Sequence, residues 1–337
     1  MTATNTPSPS PLNSVGDLLT LERQLREEMA VGRVYDTHVH NCTLHTGVHR
    51  QRLYGCEAIV AEWFSHLHGL SNQQLGEHSA FSGAGNLPAD RGQQLVSHAQ
   101  IAAVHSGETF LGPASGQTVS FRSQCIWHIG NGRVLETWHF TDRLHLALQL
   151  GLNPQQLAQI LAPSLPQTKT RPQWQPGELA SAGGQTGPRH CELSTDQAPP
   201  LLANWVDALN FRRLDRLAQL YLESTPIQMP GGRSLAGPRE ATRFWLSLLA
   251  ALPDCSVQIQ QWVYDPKAQQ LGCTWLLSGH HTGPGLVPAP SGRRLYLNGI
   301  SEWQFQEGKI RAEWTLFDEL DLIAQCHAPQ QGQPNRL

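Results

Sequence analysis

Residues 105–149, HSGETFLGPASGQTVSFRSQCIWHIGNGRVLETWHFTDRLHLALQ, can be laid on residues 281–325, HTGPGLVPAPSGRRLYLNGISEWQFQEGKIRAEWTLFDELDLIAQ, without a gap at a constant displacement of 176. Eleven of the 45 positions are identical, where unrelated stretches of average composition would share about three. The pairs are His105/His281, Gly107/Gly283, Ser115/Ser291, Gly116/Gly292, Trp127/Trp303, Gly132/Gly308, Trp138/Trp314, Asp142/Asp318, Leu144/Leu320, Leu146/Leu322 and Gln149/Gln325. Trp, Gly, His and Asp dominate, residue types whose shape or chemistry is hard to replace. The chain is a tandem duplication, and such a repeat governs every later step of the fold reading. Upstream, Gly55, Glu57 and Trp63 of GCEAIVAEWFSHL echo Gly237, Glu240 and Trp245 of GPREATRFWLSLL. The displacement there grows to 182 for Gly55 and Trp63, so loops between the two blocks differ in length.

At 337 residues the chain has room for two domains. Leu18, Leu21, Leu25 and Met29 recur at helical spacing, as do Leu202, Trp205, Leu209, Leu214 and Leu217. Each copy therefore opens with helices. Strand-like alternation follows in CSVQIQQWVYD, QLGCTWLLSGHH, RRLYLNGISEWQFQEGKI and RAEWTLFDELDLIAQ, with NGR and EGK as hairpin turns. Helices first and antiparallel strands after is the α+β pattern. The expected organisation is a disordered 1–14, a first domain over 15–152, a Pro/Gln/Gly-rich linker over 153–198, a second domain over 199–326 and a disordered tail over 327–337.

The elements HSGETFLGPASGQTVSF, NGRVLETW and Asp142, with HHTGPGLVPAPSGRRLYLNG, QEGKIRAEW and Asp318 in the second copy, resemble the closing motif of SnoaL-like polyketide cyclases. These are also called the ester cyclase group of the nuclear-transport-factor-2-like superfamily. The resemblance implies two tandem cone-shaped domains, each a curved antiparallel sheet around a pocket closed by N-terminal helices. It further implies an internal pseudo-dimer through the sheets, with a homo-oligomer as a further option. It does not fix the chemistry, because the superfamily resembles a general-purpose pocket. In the cyclases, the Asp at the position of Asp142 and Asp318 is the acid/base that deprotonates carbon beside a carbonyl.

Residues two apart on a strand share a face, so Trp138, Phe140 and Asp142 point one way, as do Trp314, Leu316 and Asp318. On an apolar face either carboxyl would be pushed toward the range useful for proton transfer. Both Asp residues equally stand where the N-cap of a short terminal helix would stand. His105 and His281 either polarise a carbonyl from the pocket wall or bond within the core. The expected catalytic set is thus Asp142, His105, Asp318 and His281. Trp138, Phe140, Trp314, Leu316 and His40 are expected to contact substrate. The sequence does not rank the two copies, and one of them as a purely structural partner fits equally.

The rival chemistry is metal. YDTHVHNCTLHTGVH gathers Asp36, His38, His40, Cys42, His45 and His49, and paired imidazoles are good zinc ligands. The counterpart YLESTPIQMPGG has no histidine, and a barrel metallohydrolase contradicts the repeat. No metal and no cofactor are expected. Seven cysteines without any CxxC pair read as reduced thiols. A net charge of −3 leaves no footprint for a polyanion, and no stretch reaches the roughly 18 apolar residues of a membrane span. A cytoplasmic protein is expected, with neither nucleic acid nor membrane as partner. The sequence thus points to cofactor-free cyclisation or isomerisation of a small apolar carbonyl compound, with a non-catalytic tandem ligand-binding or protein-interaction module as the alternative.

Overall fold

The computed structural model describes residues 11–47, 52–86, 92–164, 198–285 and 289–328. The first copy runs α1 (Val15–Arg26), α2 (Arg33–Thr37), β1 (His38–Thr46), β2 (Arg52–Tyr54), α3 (Cys56–Gly69), β3 (Leu70–Gly85), β4 (Gln93–His105), β5 (Thr118–Gly130), β6 (Arg133–Thr141) and α4 (Arg143–Gln149). After α5 (Pro154–Leu161), the second copy repeats the order. It has α6 (Pro200–Asn210), α7 (Leu214–Gln219), β7 (Pro226–Met229), β8 (Arg233–Ala236), α8 (Gly237–Ala251), β9 (Ser256–Asp265), β10 (Gln270–His280), β11 (Arg294–Gln306), β12 (Lys309–Phe317) and α9 (Glu319–His327).

Helices and strands are mixed as expected, but two features differ from the sequence reading. The copies do not hold separate sheets: the described strands form one 12-stranded sheet in the order β2-β1-β6-β5-β4-β3-β9-β10-β11-β12-β7-β8. The join is made where Ala84 and Gly85 of β3 pair with Tyr264 and Val263 of β9. Glycine permits that approach, since a Cβ on Gly83 would stand 2.2 Å from the Tyr264 carbonyl oxygen and one on Gly85 2.6 Å from that of Trp262. Nor is either half purely antiparallel. β1 lies parallel to β6, and β7 parallel to β12, because the chain crosses the sheet through a helix before returning.

The pairing registers extend the repeat beyond the segment legible in the sequence. Ala99 on β4 faces Ser123 on β5, and Trp275 on β10 faces Gly299 on β11, both at the displacement of 176. One face of each half-sheet is covered by its helices. The other faces meet, with Val96, Ile126, Trp138 and Phe140 of the first copy buried in one cluster with Val263, Ile300 and Leu316 of the second.

The flanking segments are better anchored than expected. Residues 11–14, read as disordered, begin the fold: Leu12 is buried and its N–H donates to the Gly132 carbonyl, while Ser14 caps α1 in a capping box with Asp17. Residues 1–10 lie outside the described residues. Within the linker, Asn153 caps α5, whose Leu157 and Ala158 are buried as it packs on α9. The rest of the linker, 165–197, and the tail from 329 lie outside the described residues. Among the described residues no helix is long and apolar enough to cross a membrane.

Candidate functional site

A cavity of about 390 Å³ opens in the first copy between α3, the inner ends of β1 and β6, α4 and the loop at 108–111. Its volume falls within the roughly 300–1,000 Å³ of small-molecule pockets. Leu44, Trp63, Leu70, Phe110, Leu146 and Leu161 supply apolar wall. Glu62, His66, His139, Thr141, Arg143 and Asp318 supply polar groups, the last from the second copy.

Behind the wall stands Arg26. The stripe Leu18, Leu21 and Leu25 buries one face of α1 and carries Glu22 and Arg26, one turn apart, inward with it. The Arg26 guanidinium lies 5.0 Å over the Trp63 ring, donates to Gln73 Oε1 at 3.1 Å and Ser123 Oγ at 3.0 Å, and lies 3.4 Å from His139 Nε2. Glu22 is held by Ser97 Oγ at 2.8 Å and His78 Nε2 at 2.7 Å. Burial lowers the Arg26 pKa. It also drives His66 down to about 3 and His139 well below the usual imidazole range, with the nearby guanidinium adding to both shifts. Both rings are therefore neutral at physiological pH, and both residues line the cavity. Glu62 lines the cavity from an exposed position on α3, yet desolvation of its carboxyl raises its pKa against the opposing charge of Arg143. Asp318 is likewise raised by burial and opposed by Arg143, whose Nη1 lies 2.6 Å from its Oδ2.

The same space in the second copy is filled. Trp205, Trp245, Trp275 and Trp303 are fully buried and touch one another, the Trp205 ring centroid lying 5.3 Å from that of Trp303 and 5.4 Å from that of Trp245. By register, Trp275 replaces Ala99, Phe317 replaces Thr141 and Thr315 replaces His139. On α8, at the upstream displacement of 182, Phe244 and Leu248 replace Glu62 and His66. The polar groups inside include Glu313, which accepts from Tyr221 Oη at 2.6 Å and Thr315 Oγ1 at 2.7 Å. Burial raises its pKa despite these bonds. The native state therefore holds this proton more tightly than an unfolded chain with its carboxyl near about 4.3. Its contribution to stability is present at low pH and lost as pH rises through the native value. Glu313→Gln is expected to flatten the fall in stability toward neutral pH. Urea midpoints measured across pH 4–8 that keep the wild-type slope would contradict this.

The sequence model of the SnoaL-like polyketide cyclases matches residues 17–150 and again residues 201–326, most of the chain. The chain belongs to the SnoaL-like polyketide cyclase family. Similar solved structures include AclR from Streptomyces galilaeus (16% identity, 37% of this chain and 78% of that one, TM-score 0.34). IdmH from Streptomyces antibioticus is another (20%, 37% and 94%, 0.32). A third is a protein with a ketosteroid isomerase-like fold from Catenulispora acidiphila (13%, 41% and 100%, 0.34). Comparison with curated proteins gave no match.

In this tandem SnoaL-like chain, the residues expected to be catalytic sit mostly in the scaffold. Asp142 caps α4 through the His145 N–H at 3.1 Å and also accepts from the Gly231 and Gly232 N–H groups of the β7–β8 turn. Asp318 caps α9 through the Asp321 N–H and alone of the four reaches the cavity. His105 pins its loop through Ser115 Oγ at 3.0 Å and Thr109 Oγ1 at 3.2 Å, and His281 bonds Ser291 in the same way. Both lie off the cavity lining. Gln149 and Gln325 repeat the pattern, each pairing with the backbone N–H and C=O of Ser120 or Tyr296. The repeated identities are thus largely fastenings of the fold.

Of the expected substrate contacts, Phe140 alone lines the cavity. Trp138, Trp314 and Leu316 point into the face between the copies, where His45 stacks on Trp138 and His98 on Trp314. Phe140 shares that face but reaches the cavity rim, and His40 is exposed on β1, away from the lining. Both faces of this sheet are buried, so alternation alone could not tell which one meets the pocket. Among the described residues no three His, Cys, Asp or Glu side chains converge as a metal site, and His49 lies outside them. Arg26, Glu62, His66, His139 and Arg143 were not singled out from sequence. For all but Arg26, which lies outside the matched stretches, the available signal was difference: they occupy positions where the two copies diverge.

Proposed function

We propose that the first copy is a cofactor-independent acid/base site that cyclises or isomerises a small, largely apolar carbonyl compound, and that the second copy is its structural partner. The supporting observation is the one-sided cavity: neutral imidazoles and a raised carboxyl line open space in one copy, while tryptophans fill the equivalent space in the other. In this reading each half-sheet with its helices makes the cone implied by the resemblance, open once and packed once, and the two form an internal pseudo-dimer. Glu62 takes a proton from the carbon beside the carbonyl. An imidazole N–H stabilises the enolate oxygen; in an isomerisation the proton returns from Glu62 to carbon, whereas in a ring closure the enolate carbon attacks a second carbonyl of the compound, whose π bond breaks, and Glu62 gives the proton to the new alkoxide oxygen. The apolar wall excludes water from the enolate.

The test needs no natural substrate. With 2-acetylnaphthalene in D2O, exchange of the acetyl protons followed by NMR is expected to be accelerated by the protein and slowed about 100-fold or more by Glu62→Gln. Binding without accelerated exchange would leave the non-catalytic ligand-binding alternative in place of the acid/base one.

A further inference from the structure

Resting on that reading of the cavity, we infer that Arg26 is a positioning residue that holds His139 with its proton on Nδ1, so that the ring offers an N–H to a ligand carbonyl oxygen. The cavity would then select a ligand with a neutral acceptor oxygen over an equally apolar one without it.

The argument is one of donors and acceptors. A guanidinium has only donors, so whatever Arg26 Nη2 meets must accept. It meets Ser123 Oγ at 3.0 Å and stands 3.4 Å from His139 Nε2. Ser123 Oγ, accepting from Arg26, keeps its own hydrogen to donate, and Nε2 lies 3.0 Å away. Thr141 Oγ1, 3.4 Å from the same nitrogen, is a further hydroxyl able to donate. Donors thus surround Nε2 and make it the lone-pair nitrogen of a neutral ring. A second proton on the ring would face the buried guanidinium at close range, an arrangement that like charges resist. The proton therefore sits on Nδ1, which makes no bond within the protein among the described residues. The ring is fixed in place from its other side, with Trp63 stacked at 6.2 Å and 20°. Since His139 lines the cavity, its free N–H is the donor that an occupant meets. Arg26 itself is screened from the cavity by Trp63 and His139, so it acts through the imidazole and not on the ligand.

Two measurements on the full chain test this. In histidine-labelled protein, long-range ¹H–¹⁵N correlation, assigned by the signals lost in His139→Gln, is expected to show a neutral ring with protonated Nδ1. Arg26→Lys, which keeps a donor at the site, should preserve that state. Arg26→Met should shift the proton toward Nε2. A wild-type ring protonated on Nε2, or one unmoved in Arg26→Met, overturns the inference even if no ligand is at hand. The second measurement compares 2-acetylnaphthalene with 2-ethylnaphthalene by fluorescence titration. The ketone is expected to bind about five- to tenfold more tightly, the worth of one net hydrogen bond, and Arg26→Met should erase the difference while leaving the hydrocarbon's affinity in place. Equal affinity of the two in wild type counts against the donor role. If neither compound binds, the ligand-site reading fails, and the NMR result still decides what Arg26 does to His139.

Discussion

Asp142→Ala is expected to lower the stability of the chain by about 3–5 kcal/mol, the range for stranding a buried charge. Asp142 is 1% exposed, and its two oxygens accept from the N–H groups of His145, Gly231 and Gly232, with Arg122 Nη2 at 3.4 Å. Truncation removes the cap of α4, itself worth about 1 kcal/mol. It also leaves the N–H groups of the β7–β8 turn unpaired and removes the carboxylate beside Arg122, a residue that is itself buried. Asp142→Asn separates the contributions. Its amide oxygen can still cap α4, but its NH₂ must face either a glycine N–H or the guanidinium, so a loss of similar size is expected. Urea denaturation of both variants is the measurement. Losses below about 1 kcal/mol in both would mean that the carboxylate is a surface cap and no more.

This outcome bears on how the site was legible. The duplication, the strand and helix content and the family were open to reading because Trp127/Trp303, Gly132/Gly308 and Asp142/Asp318 persist at fixed spacing. The same persistence drew the reading to Asp142, His105 and His281, which stand off the cavity lining. A duplicated chain keeps what both halves need in order to fold, here the helix caps, the His–Ser loop ties and the Gln clamps on strand backbone. A pocket used by one half shows where the halves part, at Ala99 against Trp275 and His139 against Thr315. Arg26 was harder still to find, since it lies on the α1 stripe, outside the gap-free stretch. The continuous sheet was hidden for another reason: a pairing of β3 with β9 joins residues about half the chain apart, and nothing local to SGAGN announces its partner.

The difference between the copies also has an energetic signature in the tryptophan cluster. Trp205→Ala is expected to cost about 3–5 kcal/mol, the range for truncating a large buried aromatic. The Trp205 ring is fully buried and packs edge-on to Trp245 at 83°, with Trp275 and Trp303 closing the remaining sides. The three remaining rings cannot all move inward to fill the space left by the fourth, because they are held by further contacts, as Trp275 is by its bond to Ser301 Oγ and by lying over Gly299. The void should therefore persist, and an apolar void of that size can take up a small aromatic guest. A variant protein whose melting temperature rises more on adding benzene than that of wild type, whose first-copy cavity is already open, would show that packing alone closes this half. Trp63 gives the contrast, because it already borders open cavity in the first copy. If Trp205→Ala instead cost under about 1 kcal/mol and bound no guest, the second copy would have collapsed around the loss. The division into an open half and a packed half would then rest on adaptable side chains, not on a fixed core.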